Sequence, residues 1–215
     1  MIISWGRSYI FVHAPKTGGT SMALALEDRA MKDDIMLGDT PKALNRRRKM
    51  KNVEARGRLW KHSTLSDIDG IVLPHHVERM FTFTLVRNPW DRMVSYYHWL
   101  QEQDFEHAAV KLAKRVDFDA FLKDAGTQAA QAASPSSSYM RDVNGVEQCN
   151  AYIRLEHFAE DSASLVDHLG FDLNLPKTNT SKRGADYQGY YSAELREIVA
   201  QCCAEDISRF GYVFN

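Results

Sequence analysis

The residues best placed to do chemistry form one run, His13-Ala14-Pro15-Lys16-Thr17-Gly18-Gly19-Thr20-Ser21. Gly18 and Gly19 let the backbone curl around an anion with no Cβ in the way. Lys16 adds a full positive charge, and Thr17, Thr20 and Ser21 add hydroxyl donors. Such a set binds phosphate when it stands at the start of a helix, where unpaired N–H groups and the helix dipole converge. A plain glycine turn capped by Ser or Thr is the competing reading. The order of residues narrows the chemistry. A Walker A loop places its lysine after the last glycine, whereas Lys16 precedes both glycines here. ATP or GTP hydrolysis is disfavoured on that ground.

The elements needed to hold this run are legible. Tyr9-Ile10-Phe11-Val12 is apolar and rich in β-formers, and predicts a buried parallel strand. Ser21 to Met31 carries Ala, Leu and Met at helical spacing, so strand, glycine loop and helix open a βαβ unit. A second strand is expected over Met80–Val86. It runs into Arg87-Asn88-Pro89, where Asn88 caps a helix and Pro89 takes its first position, with the helix continuing from Trp90 to about Gln103. Further helices are expected near 105–115, 117–131, 158–169 and 192–208, and another inner strand at Tyr152-Ile153-Arg154-Leu155. Ala133-Ser134-Pro135-Ser136-Ser137-Ser138 reads as a surface loop. The alternation predicts an α/β fold of P-loop-like, three-layer form, with a central mainly parallel sheet flanked by helices in one domain spanning 1–215.

Composition sets the bounds. A chain of 215 residues with 44% apolar and 26% charged residues fits one globular domain. A net charge of −1 argues against a dedicated nucleic-acid binder. No apolar run is long enough to span a bilayer, and Met1 to Arg7 is too short and too soon charged for a signal peptide. Cys149, Cys202 and Cys203 have no zinc or redox spacing, and free thiols point to the cytoplasm. The oligomeric state is left open. Basic residues gather at Arg46-Arg47-Arg48-Lys49, Lys51, Arg56 and Arg58, as a charged helix face or a contact for an anionic acceptor or membrane surface.

Arg87 makes a second candidate phosphate receptor. It stands at the carboxyl end of a strand, where open α/β sheets bind ligands, and Asp91 and Ser95 follow at helical spacing. An arginine fork with a hydroxyl suits a phosphate monoester. The alternative is that Arg87 pairs with Asp91 and Ser95 merely packs.

At this point the chain resembles a known family. Pro15-Lys16-Thr17-Gly18-Gly19-Thr20-Ser21 looks like the 5′-phosphosulfate loop of sulfotransferases that use 3′-phosphoadenylyl sulfate (PAPS), most closely the carbohydrate-type, family 2-like branch. Leu85-Val86-Arg87-Asn88-Pro89-Trp90-Asp91-Arg92-Met93-Val94-Ser95-Tyr96-Tyr97 resembles that family's 3′-phosphate motif. Lys61-His62 matches its Lys-His pair, Leu175 to Arg183 its late basic loop, and Tyr190-Tyr191-Ser192 with Asp206 and Phe210-Gly211-Tyr212 its ending. The resemblance implies sulfuryl transfer from PAPS to a hydroxyl or amine of a carbohydrate, lipid or small-metabolite acceptor, releasing adenosine 3′,5′-bisphosphate and requiring no metal. It implies that Lys16, Thr17, Gly18, Gly19, Thr20, Ser21, Arg87, Ser95, Lys182 and Arg183 hold the donor. Lys16 would also neutralise the leaving phosphate, and His62 would be the general base. A structural His62 is the competing reading; His13 is expected to shape the phosphate loop instead, His75-His76 to lie exposed beside a turn, and Glu156 is the weaker candidate base. Trp60, Tyr96, Tyr97, Trp99 and Tyr139 offer faces on which a sugar ring could stack, although aromatics at such spacing commonly build cores. A P-loop small-molecule kinase and a nucleotide-binding module without catalysis are the competing functions.

Overall fold

A computed structural model describes residues 1–50, 52–176 and 186–215. Its sheet has five strands, β1 (Ile2–Ser4), β2 (Tyr9–Val12), β3 (Ile35–Met36), β4 (Phe81–Val86) and β5 (Ala151–Arg154), in the order β3-β1-β2-β4-β5. β2 pairs parallel with β4, and β4 with β5, in the registers Phe11↔Phe83 and Phe83↔Ala151. β1 is antiparallel to both β2 and β3. It is therefore the one strand of the five that runs against the others, and the sheet is mainly parallel as expected.

β2 leads into α1 (Gly19–Glu27), α2 (Pro41–Arg46) follows β3, and α3 (Pro74–Val77) precedes β4. β4 enters α4 (Pro89–Gln101), after which α5 (Ala108–Ala113), α6 (Phe118–Lys123), α7 (Ala125–Ala132) and α8 (Ser136–Tyr139) precede β5. Beyond β5 come α9 (Phe158–Asp161), α10 (Ala163–Leu169), α11 (Ala193–Cys202) and α12 (Ala204–Phe210). Two compact units emerge, Met1–Val86 with Ser136–Thr178, and Arg87–Pro135 with Asn179–Asn215.

The first unit contains the sheet. Alternation along β2 sends Tyr9 and Phe11 to one face, where they pack with Met22 and Leu26 of α1, Phe83, and Leu165 and Leu169 of α10. Ile10 and Val12 go to the other face with Leu65, Ile68, Val72, Val77 and Met140. Both faces are covered, which is why β2 reads as an unbroken apolar run. The second unit has a helical core. Trp90, Met93, Val94, Tyr97 and Leu100 line the buried side of α4, and Tyr97 meets Phe118 and Phe121 of α6 at 5.5 and 5.3 Å between ring centroids. The Trp90 indole N–H donates to the Arg196 carbonyl of α11 at 3.1 Å.

Five points depart from the expectations. The helix predicted over 117–131 is two, because Asp124 is extended and its carboxylate caps α7 by accepting from the Thr127 N–H at 2.7 Å. Those over 158–169 and 192–208 are likewise interrupted, at Ser162 and at Cys203. The serine-rich segment is not all surface loop. Ser136 to Tyr139 is a helical turn with Ser136 and Ser137 buried, drawn inward by Met140, which is wholly buried against the sheet. Finally, β1 and β3 were not expected, since strands of two or three residues carry no periodicity.

Phe83, the wholly buried middle of β4, stacks on Phe11 at 5.2 Å. Phe83→Ala should cost about 3–5 kcal/mol and lower the urea midpoint accordingly; a loss under ~1 kcal/mol would show that this face of the sheet is not the core.

Candidate active site

The glycine loop connects β2 to α1 in a conformation that its residue types dictate. Thr17 is buried, and its hydroxyl donates to the Ala14 carbonyl at 2.9 Å, closing the loop on itself. Lys16 is left-handed at φ 64°, a conformation costing about 1–2 kcal/mol in a residue with a Cβ. Gly18, at φ 89°, is the N-cap of α1 and accepts from the Met22 N–H at 3.2 Å. A Cβ at Gly18 would come 2.9 Å from Leu155 Cδ1, and one at Gly19 would lie 2.0 Å from His13 Cδ2. Gly19 is therefore required by the close approach of the His13 ring, and Gly18 chiefly by its left-handed backbone.

The start of α1 differs from those of the other long helices. α4, α7 and α11 are capped by Asn88, Asp124 and Ser192, whose side chains accept backbone N–H bonds. No side chain caps α1, and no acidic residue lies in its first turn. Its first N–H groups have no partner within the helix. A half-buried Lys16 stands at the same loop. The arrangement is suited to an anion.

His13, the first residue after β2, ties this loop to His62. Its buried ring stacks on Phe11 and occupies the space beside Gly19. Burial, reinforced by His62 and by the Lys61 and Lys16 charges, holds the His13 imidazole well below its ordinary range, so it is neutral. The His62 ring stands edge-on to His13 at 4.7 Å. His62 Nδ1 is 2.7 Å from the His13 carbonyl oxygen. A carbonyl only accepts, so Nδ1 carries the proton and Nε2 the lone pair. Burial lowers the His62 pKa from 6.5 to about 4, against the opposing pull of that hydrogen bond. His62 is thus neutral at pH 7 in a fixed tautomer. Beyond it, Trp60 meets the His62 ring edge-on at 5.0 Å.

The second motif is built in the other unit. Asn88 caps α4 by accepting from the Trp90 N–H at 3.1 Å, with Pro89 at the first helical position as expected. Its amide donates to the Tyr187 hydroxyl at 3.3 Å and the Val213 carbonyl at 3.2 Å. Arg87 donates through Nε and Nη2 to one oxygen of Asp91, at 2.8 and 2.5 Å. The ion pair foreseen as an alternative for Arg87 is therefore present, and Asp91 also lies in the helix's first turn. Ser95 is buried one turn further along α4.

The remaining candidates are dispersed. Lys182 and Arg183 lie outside the described residues. Glu156 and His75 are exposed, and His76 packs edge-on against Trp5 at 5.4 Å. Lys61 is paired with Asp39 at 2.5 Å. In the basic stretch, Arg46 ends α2 and donates to the Met31 carbonyl at 2.7 Å. Among the described residues, no three His, Cys, Asp or Glu side chains gather as a metal site, and no helix is long and apolar enough to cross a membrane. Two participants escaped the sequence reading: Leu155, which underlies Gly18, and the main-chain carbonyl of His13. The apolar residue after β5 was the only signal for the first, and the second had none.

An α/β sheet with a glycine-tight, lysine-bearing loop at a helix start is the arrangement of group-transfer proteins that take phosphorylated ligands. The model of the Sulfotransferase family matches residues 2–213, nearly the whole chain, and the protein belongs to that family. It is a sulfotransferase. Among solved structures, mouse sulfotransferase SULT7A1 complexed with PAP is similar in fold, with a TM-score of 0.51 at 15% identity, over 96% of this chain and 86% of that one. No curated protein sequence matches it.

Two outcomes follow from this geometry. Gly19→Ala must displace the His13 ring, and should destabilise the protein by about 1–3 kcal/mol in chemical denaturation; no loss would mean that the contact is loose. His62 should titrate with a midpoint near 4 when followed by imidazole NMR. Its folded pKa lies below the unfolded value, so the unfolded chain binds the proton first, and stability should fall as pH drops from 6.5 towards 4. A midpoint at 6.5 would contradict the buried, carbonyl-bound ring.

Proposed function

We propose that the protein transfers the sulfuryl group of PAPS to a hydroxyl of a small-molecule, carbohydrate or lipid acceptor by in-line displacement. One observation carries this reading: a helix start left without a side-chain cap, bearing Lys16 and two obligatory glycines, is joined through His13 to a neutral His62 of fixed tautomer. In the reaction the acceptor oxygen forms a bond to sulfur while the bond from sulfur to the 5′-phosphate oxygen breaks. The acceptor proton passes to His62 Nε2, and Lys16 with the N–H groups of Gly18 to Ser21 balances charge on the departing phosphate. A bound anionic donor would also oppose the effect of burial on His62 and raise its basicity.

Thr20 and Ser21 complete the 5′ site in this proposal, and Thr17, whose hydroxyl the structure commits to the Ala14 carbonyl rather than to a ligand, contributes through its main chain. Arg87 and Ser95 receive the 3′-phosphate, which Arg87 would bind while remaining oriented by Asp91. Lys182 and Arg183 are assigned to the donor phosphates by their sequence alone. The similar mouse sulfotransferase is complexed with PAP, which supports adenosine 3′,5′-bisphosphate as the product here. We further propose one catalytic domain across the chain, a cytoplasmic location in keeping with three free thiols, and no metal requirement.

Thermal denaturation with adenosine 3′,5′-bisphosphate, ADP and ATP, each with and without Mg²⁺, tests the reading. At about 100 times its Kd the bisphosphate should add about 2.7 kcal/mol, or roughly 5–10 °C in Tm, with EDTA present. Lys16→Ala and Arg87→Ala should each remove most of that shift. Turnover of PAPS should fall by about 10²–10⁴ in His62→Ala with donor binding kept. Mg²⁺-dependent stabilisation by ATP alone would favour a kinase, and binding without turnover a module lacking catalysis.

A further inference from the structure

We infer that Trp60 and Arg58 form an acceptor subsite selective for a hydroxylated ring that bears an acidic substituent. The inference rests on the assignment of His62 as the base. Trp60, at 42%, is the most exposed of the four tryptophans. Its ring stands perpendicular to His62 at 5.0 Å, and the Arg58 guanidinium lies over its face at 5.2 Å. An indole, a cation and the proposed base are thus contiguous.

The turn that presents them is rigid. The buried Ser63 hydroxyl accepts from the Trp60 N–H at 2.9 Å and lies 2.9 Å from the carbonyl oxygens of both Arg58 and Trp60. The Ser63 N–H donates to the Trp60 carbonyl at 3.2 Å. Next along the chain, the Asp67 carboxylate accepts from the Thr64 N–H at 2.7 Å, and the Leu65 N–H donates to the Tyr139 carbonyl at 3.0 Å. These bonds hold the main chain that carries Arg58, Trp60 and His62.

Charge decides the kind of ring. Lys61 is already paired with Asp39, whereas exposed Arg58 has no ion pair with a carboxylate among the described residues. Its planar fork matches a carboxylate or sulfate. A ring lying against Trp60 with its hydroxyl at His62 Nε2 would bring an acidic substituent within reach of Arg58. A sugar acid and a phenolic acid share this chemistry.

The test uses the whole protein with PAPS and two matched acceptor pairs, methyl β-glucoside with methyl β-glucuronide, and phenol with 4-hydroxyphenylacetate. In one pair or both, the acidic member should have the lower KM, and the responding pair identifies the source. Arg58→Ala should raise that KM about tenfold and leave the neutral partner unchanged, while Arg58→Lys restores part of the loss. Trp60→Ala should raise KM about tenfold for both members of the responding pair, and Trp60→Phe should recover most of it. Both positions are exposed, so folding is expected to survive, and the Tm shift with adenosine 3′,5′-bisphosphate should be that of wild type. No preference for either acidic member, failure of both to react, or indifference to the variants would overturn the subsite. If the wild type shows no shift with the bisphosphate, it is the donor reading that fails.

Discussion

The packing of His13 against Gly19 is the contact on which the candidate site depends. The imidazole fills the space a Cβ at position 19 would need, since that atom would lie 2.0 Å from its Cδ2. α1 therefore begins pressed against the end of β2, with Gly18 and Lys16 forced into left-handed backbone to complete the turn. The same residue's carbonyl receives His62 Nδ1–H, so one side chain sets the helix start and one main-chain oxygen sets the orientation and tautomer of the His62 ring. Strain at Lys16 is held by the buried Thr17 hydroxyl and by the sheet beneath.

That sheet is what makes the contact durable. β2 is flanked on one side by β4 in parallel and on the other by the antiparallel β1, and both of its faces are covered. Burial this complete leaves little freedom at its carboxyl end, where His13 emerges. β4 leads straight into Arg87 and α4, so the glycine loop and the Arg87 segment each begin where one of two neighbouring parallel strands stops.

Much of this was readable from local chemistry. The apolar runs of β2 and β4, the Asn88-Pro89 start of α4 and the glycine loop each declare themselves within a few residues. What stayed hidden depends on distance along the chain. The bond between His62 and His13 spans 49 positions, and Leu155 reaches Gly18 from beyond β5. Helix breaks at Asp124 and Cys203 lay inside patterns that read as continuous, although Asp124 is a good capping residue. Ser136 and Ser137 looked like loop because serine is polar, yet their small side chains fit beneath a chain drawn in by Met140. Arg87 had two readings, and the Asp91 pair is compatible with both.

The central claim is that the 16–21 loop receives the 5′-phosphate of the donor. Backbone amide NMR during titration with adenosine 3′,5′-bisphosphate tests it most directly. The account predicts that the Gly18, Gly19, Thr20 and Ser21 amides shift most and saturate together, and that Lys16→Ala weakens the binding. Saturable binding that leaves those amides in place, or that Lys16→Ala does not weaken, would contradict it.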